Sequence, residues 1–274
     1  MKNHKIHQIK INFQVTENIK RYVYVYIIEA EQLYMIDSGV YGCEKQIEQY
    51  LKNIGRNISE IKAIFLTHAH PDHIGTAAWF KENVGCRIYA GAGERKWIED
   101  INFQYKQRPI PNFYNLAGKS VSVDFEIKDE DVIELEDGLF IEVIRTAGHS
   151  VDGMSYKLQK SLFIGDSVPV KGDIPIFIDE IETRQTLYKL GKMEDIDYYY
   201  PAWDYIYTKE VMHEKIAEAL QIIDMLKKAV IETDNDSEVS ILAEKVSERL
   251  CMPMLKTNPL FVKTVSCLRE GEQK

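Results

Sequence analysis

Residues 64–80 read IFLTHAHPDHIGTAAWF, and three of the chain's seven histidines, His68, His70 and His73, fall within six positions there with Asp72 among them. Side chains two apart point to one side of an extended chain and to opposite sides of a helix. His68 and His70 directly follow IKAIFLT, a short apolar strand of the buried kind, so the spacing predicts an extended loop at a strand's C-terminal end. In open α/β sheets that end is where ligands sit. Pro71 fixes φ at the mouth of the next helix, which then opens with Asp72 and His73. This differs from H-E-x-x-H, where one helix face carries both imidazoles. Imidazole and carboxylate together suit zinc, iron or manganese.

The surrounding elements must hold that loop still. Residues 5–37 read as strands, rich in β-branched and aromatic side chains. CEKQIEQYLKNIG carries Ile47, Tyr50, Leu51 and Ile54 at helical spacing and stops at Gly55. With TAAWFKENVG as helix and CRIYA as strand, the order is β-α-β-α-β, which implies α/β layering. Residues 97–118 read as a helix end followed by an irregular, aromatic and proline-bearing excursion. Strands return over 121–165 (SVSVDFEI, DVIEL, LFIEVIRTA, MSYKLQ, SLFIGD). Beyond Tyr207, apolar positions 212, 216, 219, 220, 223, 226 and 230 mark a strong amphipathic helix. A polar TDNDS break follows, with Ser237 as N-cap, and then two further helices, SILAEKVSERL and PLFVKTVSCLRE. Residues 1–207 thus form the α/β region and 208–274 a helical appendage.

The chain has 274 residues, 45% hydrophobic and 28% charged, enough for a large core. Its net charge of -9 disfavours nucleic acid and anionic membranes as partners. The four scattered cysteines form no C-x-x-C pair and suit a reducing cytoplasm. No apolar run is long enough to span a bilayer, and the N-terminus lacks the apolar core of a signal peptide. The expected partner is a small-molecule substrate, with a homodimer as an open arrangement.

Four stretches, in order, carry a resemblance. H-x-H-x-D-H at 68–73 is the signature of the metallo-β-lactamase superfamily of metal-dependent hydrolases, and the likeness extends over about residues 5–207. YMIDSG resembles that family's early strand ending in a supporting aspartate, here Asp37. TAGHS resembles the strand end that supplies the next ligand histidine, His149. LFIGDS resembles the strand that ends in the aspartate shared by two metals, Asp166. The resemblance implies a first metal site of His68, His70 and His149 and a second of Asp72 and His73 with Asp166 shared. It also implies a four-layer αββα sandwich, with the helical region appended. The cofactor implied is a divalent metal, zinc first, with iron or manganese as alternatives.

The pattern departs at DYYYPAWDYIY. There the family's last second-site histidine is replaced by Trp203, whose indole N–H is a donor and cannot ligate a metal. Asp204 is a candidate oxygen substitute, whereas His213, His4 and His7 read as structural. The expectation is one tightly held metal and a second site that fills weakly or stays empty. Three neutral imidazoles leave a fourth position for water, whose pKa the cation lowers toward neutrality. Asp72 would orient that water or take its proton. Ser150 and Ser167 neighbour the ligands without a triad. The expected activity is hydrolysis of a small ester, thioester or lactone. A mononuclear iron oxygenase of persulfide-dioxygenase type and a non-catalytic metal-binding sensor are the alternatives.

Overall fold

The structure, a computed structural model, describes residues 4–233, 237–256 and 258–271. Twelve strands form two six-stranded sheets among the described residues. The first runs in spatial order β1 (Lys5–Thr16), β2 (Ile19–Glu29), β3 (Leu33–Ile36), β4 (Ile61–Phe65), β5 (Arg87–Gly91), β6 (Phe125–Ile127). Its first three strands are antiparallel and β3 to β6 are parallel. The second sheet contains β7 (Val132–Glu136), β8 (Leu139–Arg145), β9 (Met154–Leu158), β10 (Ser161–Gly165), β11 (Tyr198–Pro201) and β12 (Tyr207–Thr208) in sequence order, with β10 and β11 its parallel pair.

Alternation along the strands explains the layering. On β2, Tyr26 and Ile28 face a core between the sheets, while Val23, Val25 and Ile27 face the first helix layer. On β10, Phe163 joins the intersheet core with Phe65 and Tyr156, and Leu162 and Ile164 face the second helix layer. Strands buried on both faces read as continuous apolar runs, as IKAIFLT and SLFIGD do.

The first helix layer holds α1 (Glu44–Asn53), α2 (Pro71–Ile74), α3 (Ala77–Val84), α4 (Arg95–Glu99), α5 (Ile101–Gln107) and α6 (Phe113–Ala117). The last three correct the sequence reading: most of the 97–118 excursion is helical, in pieces cut by Asp100 and by Pro109 and Pro111. The second layer holds α7 (Glu180–Gly191), α8 (Lys209–Ile231), α9 (Val239–Arg249) and α10 (Pro259–Glu270), which share one core with Tyr199 and Tyr207 of the second sheet. Helix α7 was not legible from apolar spacing, because its buried face mixes Thr183, Thr186 and Glu180 with Leu187 and Leu190. Its start was signalled, since the Asp179 side chain caps Glu182 N. Ser237 is not the cap of α9; the N-cap is Glu238, and residues 234–236 of the polar break lie outside the described residues. SVSVDFEI is strand only at its end, over Phe125–Ile127.

Candidate metal centre

Five strand ends converge. β3 delivers Asp37, β4 delivers Thr67, His68 and His70, and α2 opens with Pro71, Asp72 and His73. The β8–β9 loop carries His149, β10 runs into Asp166, and β11 leads to Trp203. Backbone hydrogen bonds lace these ends together: Met154 N to Thr67 O at 2.8 Å, and Ala202 N to Gly165 O at 2.9 Å. Gly165 is required there. Its φ is +51°, and a Cβ would stand 2.7 Å from Thr67 Oγ1.

The predicted ligands of the first site come together. Ligand atoms of His68, His70, His149 and Asp166 all lie within 4.8 Å of one another. His70 Nδ1 is 2.8 Å from His68 Nε2 and 2.9 Å from His149 Nε2. Proton bookkeeping shows what those distances mean. His149 Nδ1 is 2.9 Å from the Ile176 carbonyl, which can only accept, so Nδ1 holds the proton and Nε2 a lone pair. Thr67 Oγ1 donates to the Asp37 carboxylate at 2.8 Å and so accepts from His68 Nδ1 at 3.0 Å, leaving His68 Nε2 a lone pair as well. Two lone pairs therefore converge on one nitrogen of His70, which has at most one hydrogen to offer. A divalent cation among the three nitrogens satisfies all of them, and the donor set fits it.

The electrostatics agree. Burial, reinforced by His73, His149 and Arg108, holds His68 well below the usual imidazole value. Burial pushes His149 down to about 4 against the pull of Asp166. Both rings are therefore neutral at pH 7, the protonation state a metal ligand needs.

Asp37 is the supporting carboxylate implied by the resemblance, and its role is explicit. It accepts from Thr67 N at 2.7 Å, from Thr67 Oγ1, and from His73 Nδ1 at 2.8 Å. One buried carboxylate thus fixes the tautomers of two histidines, directly for His73 and through Thr67 for His68.

Asp72 and His73 flank the other side of Asp166. His73 Nε2 is 3.4 Å from Asp166 Oδ2 and 3.9 Å from Asp72 Oδ2, and it has no hydrogen-bond partner. Burial works against the His73 charge, but Asp166, Asp37 and Asp72 outweigh it and raise the ring well above its ordinary value. Burial and the charge on Asp166 raise the Asp72 carboxyl. Asp166 Oδ2 lies between the two groups of residues, 3.6 Å from His149 Nε2, yet it already accepts the Trp203 indole N–H at 2.9 Å. Asp166 Oδ1 is buried without a partner. Trp203 is itself fixed, by Tyr22 at a ring separation of 5.6 Å and by the Arg21 guanidinium 4.4 Å over its face.

Asp204 does not substitute as a ligand. Its carboxylate is taken by Lys215 at 2.9 Å and Tyr207 Oη at 3.1 Å. His213 is exposed and bonds the Gly191 carbonyl, so it is neither ligand nor buried. His7 is structural as expected but has partners, Glu29 at 2.8 Å and Tyr50 at 3.1 Å. Lys227 of α8 holds the buried Glu180 of α7 at 2.9 Å. The aromatic run is core at Tyr199 and Tyr207, while Trp203 reaches the centre.

A cavity of about 250 Å³ lies beside His70 and His149, walled by Trp97, Arg108, Ile176, Ile178 and Leu260 among others. Helix α10 therefore forms one wall. It also clamps the loop behind His149: Thr264 Oγ1 donates to Pro175 O at 2.9 Å and accepts from Phe177 N at 3.2 Å. Sequence reasoning missed three contributors here. Glu94 accepts Ala69 N at 3.0 Å and Asp152 N at 2.9 Å and so ties the histidine loop to the β8–β9 loop. Gln104 Nε2 donates to Ala69 O, and Arg108 enters from the end of α5. None belongs to a spaced motif; only the QRP break marks Arg108.

A family model described as the Metallo-beta-lactamase superfamily matches residues 19–202. A probable metallo-hydrolase, YqgX of Bacillus subtilis, is 30% identical over 156 residues, 54% of this chain and 66% of its own length. A hydroxyacylglutathione hydrolase of Hyphomonas neptunium is 28% identical over 159 residues, 57% of this chain and 53% of its own. The chain thus spans about half to two thirds of these relatives. The crystal structure of a metallo-beta-lactamase family protein from Thermus thermophilus superposes with a TM-score of 0.74 at 15% identity, covering 97% of this chain and 94% of that one. With the four motif stretches gathered at one end of its two sheets, the chain belongs to the metallo-beta-lactamase superfamily.

Proposed function

We propose that the protein is a metal-dependent hydrolase that works with one tightly held divalent cation, zinc first, and cleaves a small ester, thioester or lactone. The observation that carries this reading is the convergence of two Nε2 lone pairs on His70 Nδ1 at 2.8 and 2.9 Å. His68, His70 and His149 would hold the cation, which would supply Lewis-acid activation of water near neutral pH. The chain's own groups do the rest. Asp166 lies with the three imidazoles, and Asp72, whose Oδ2 is 3.9 Å from His73 Nε2, would take the proton from the water. Asp37, Thr67 and the Ile176 carbonyl hold the imidazoles in one tautomer, so no reorientation is needed during turnover.

A single cation is favoured because Trp203 occupies Asp166 Oδ2 with a hydrogen bond and offers no lone pair. Asp72, His73 and Asp166 are then the remaining donors for a second ion. The relative named a hydroxyacylglutathione hydrolase supports an acyl substrate, as do the apolar walls of the cavity. The test is elemental analysis of the purified protein with a panel of chromogenic esters, thioesters and lactones, assayed with and without chelator. One metal per chain and chelator-sensitive acyl hydrolysis are expected. Oxygen uptake with bound iron and no hydrolysis would replace this reading with an oxygenase; a metal-free, inert protein would overturn both.

A further inference from the structure

Most arginines in this chain have acidic partners. Arg21 meets Asp173, Arg56 meets Glu29 and Glu60, Arg145 meets Asp152 and Glu182, and Arg184 meets Glu180 and Asp224. Arg108 differs. Its guanidinium makes no ion pair and no side-chain hydrogen bond among the described residues, and its Nη1 is buried without a partner. Among the described residues Arg87 and Arg269 also lack a carboxylate partner, but Arg87 lies over the Phe125 ring and Arg269 bonds the Ser237 carbonyl, whereas Arg108 has neither kind of contact. A half-buried guanidinium with no ion-pair partner and a shut-off Nη1 costs stability, and it persists where something outside the chain completes it.

Its placement says what that something is. Helix α5 ends at Gln107, and Pro109 stops the helix, so Arg108 leaves the helix at its last turn and lines the cavity beside His70 and His149. Lys263 of α10 lines the same cavity and is exposed, with no carboxylate partner among the described residues. The wall's acid, Glu94, has each oxygen taken by a backbone N–H, from Ala69 and Asp152. Two unpaired cations therefore face one space that opens on the metal centre. Burial lowers the Arg108 pKa to about 9, so the group still carries its charge at neutral pH.

We propose that Arg108, backed by Lys263, is the carboxylate-binding end of the substrate cavity, so that the ester or thioester cleaved beside His68, His70 and His149 carries a carboxylate on one arm. This deepens the hydrolase reading and rests on it. A planar guanidinium fork matches a carboxylate in two parallel hydrogen bonds. A dianionic phosphate fits less well, since one fork and one ammonium serve it incompletely and the Glu94 carboxyl stands in the wall. At about 250 Å³ the cavity is smaller than the roughly 300–1,000 Å³ of drug-sized sites, so it takes one compact arm of the substrate.

The experiment compares 4-nitrophenyl hemiglutarate with its neutral methyl ester as substrates, and measures glutarate binding to chelator-treated protein by calorimetry. Wild type is expected to prefer the free acid, and Arg108→Gln to reduce that preference, as the ratio of kcat/KM values, by roughly ten- to a hundred-fold. Glutarate should bind wild type and bind Arg108→Gln at least about tenfold more weakly. Arg108→Lys keeps the charge without the fork and should recover part of the loss; with Lys263→Gln it serves if Arg108→Gln does not fold. Equal hydrolysis of both esters by wild type and by Arg108→Gln overturns the carboxylate site and leaves the hydrolase reading standing. Glutarate binding that depends on Arg108, with neither ester cleaved, upholds the site and defeats the hydrolase reading. Tighter binding of inorganic phosphate than of glutarate overturns the assignment to a carboxylate.

Discussion

Replacing Trp203 tests the link between one hydrogen bond and metal count. The indole N–H donates to Asp166 Oδ2 at 2.9 Å, and that oxygen also lies 3.4 Å from His73 Nε2. A hydrogen bond to a charged acceptor contributes about 1.5–3 kcal/mol. A second cation that uses that oxygen competes with this bond, and full loss of the bond corresponds to a weakening of roughly ten- to 150-fold in affinity. Trp203→Phe removes the donor and keeps a ring against Tyr22 and Arg21. The second-site affinity should therefore rise by about one to two orders of magnitude. Trp203→His adds a ligand as well and should carry the protein toward two metals per chain. The assay is zinc titration by calorimetry, paired with elemental analysis after dialysis. The metal-free Trp203→Phe protein should also lose about 1.5–3 kcal/mol of stability in urea, the same bond read from the other side. Two firmly held metals in wild type, or one in both variants with unchanged affinity, would refute the reasoning.

Asp37→Asn should lower metal affinity about ten- to a hundred-fold, measured by competition with a chromogenic chelator, because Asp37 fixes His73 and, through Thr67, His68. Gly165→Ala should cost about 1–3 kcal/mol in a urea melt, since the new Cβ meets Thr67 Oγ1 at 2.7 Å in left-handed backbone. Thr264→Val removes the clamp on residues 175–177 and should weaken metal binding with little change in fold content by circular dichroism. Acid stability follows from the Arg56 cluster. The Arg56 guanidinium holds Glu60 below its ordinary 4.5, and on Glu29 burial is outweighed by bonds from His7 and Arg56. Carboxyls with depressed values give stability that is complete above the unfolded value near 4.5 and lost as pH falls through the lower folded value. Arg56→Gln should therefore flatten the stability curve below about pH 4.5, read by urea melts across pH.

Much of the site was legible because its chemistry is local. His68, His70, Asp72 and His73 sit in one six-residue string, Asp37 and Asp166 each directly follow an apolar strand, and His149 sits in the loop just beyond β8, so pattern and position coincide. What supports them was not legible, because it is tertiary. Thr67 bridges Asp37 to His68, and Glu94 ties two loops through backbone N–H groups; neither follows from spacing. The α/β layering followed from the order of strands and helices and the two sheets from the resemblance, whereas α7 was hidden by threonines on its buried face and α4 to α6 by their shortness. Asp204 looked available in the sequence, and only the fold reveals Lys215 and Tyr207 as its partners.

The central claim is that three imidazoles grip one cation. Anomalous diffraction at the zinc edge from crystals grown with zinc tests it most directly. The account predicts a single peak among His68 Nε2, His70 Nδ1 and His149 Nε2, with no comparable peak between Asp72 and His73. No peak among those three nitrogens, or two peaks of equal height, would contradict it.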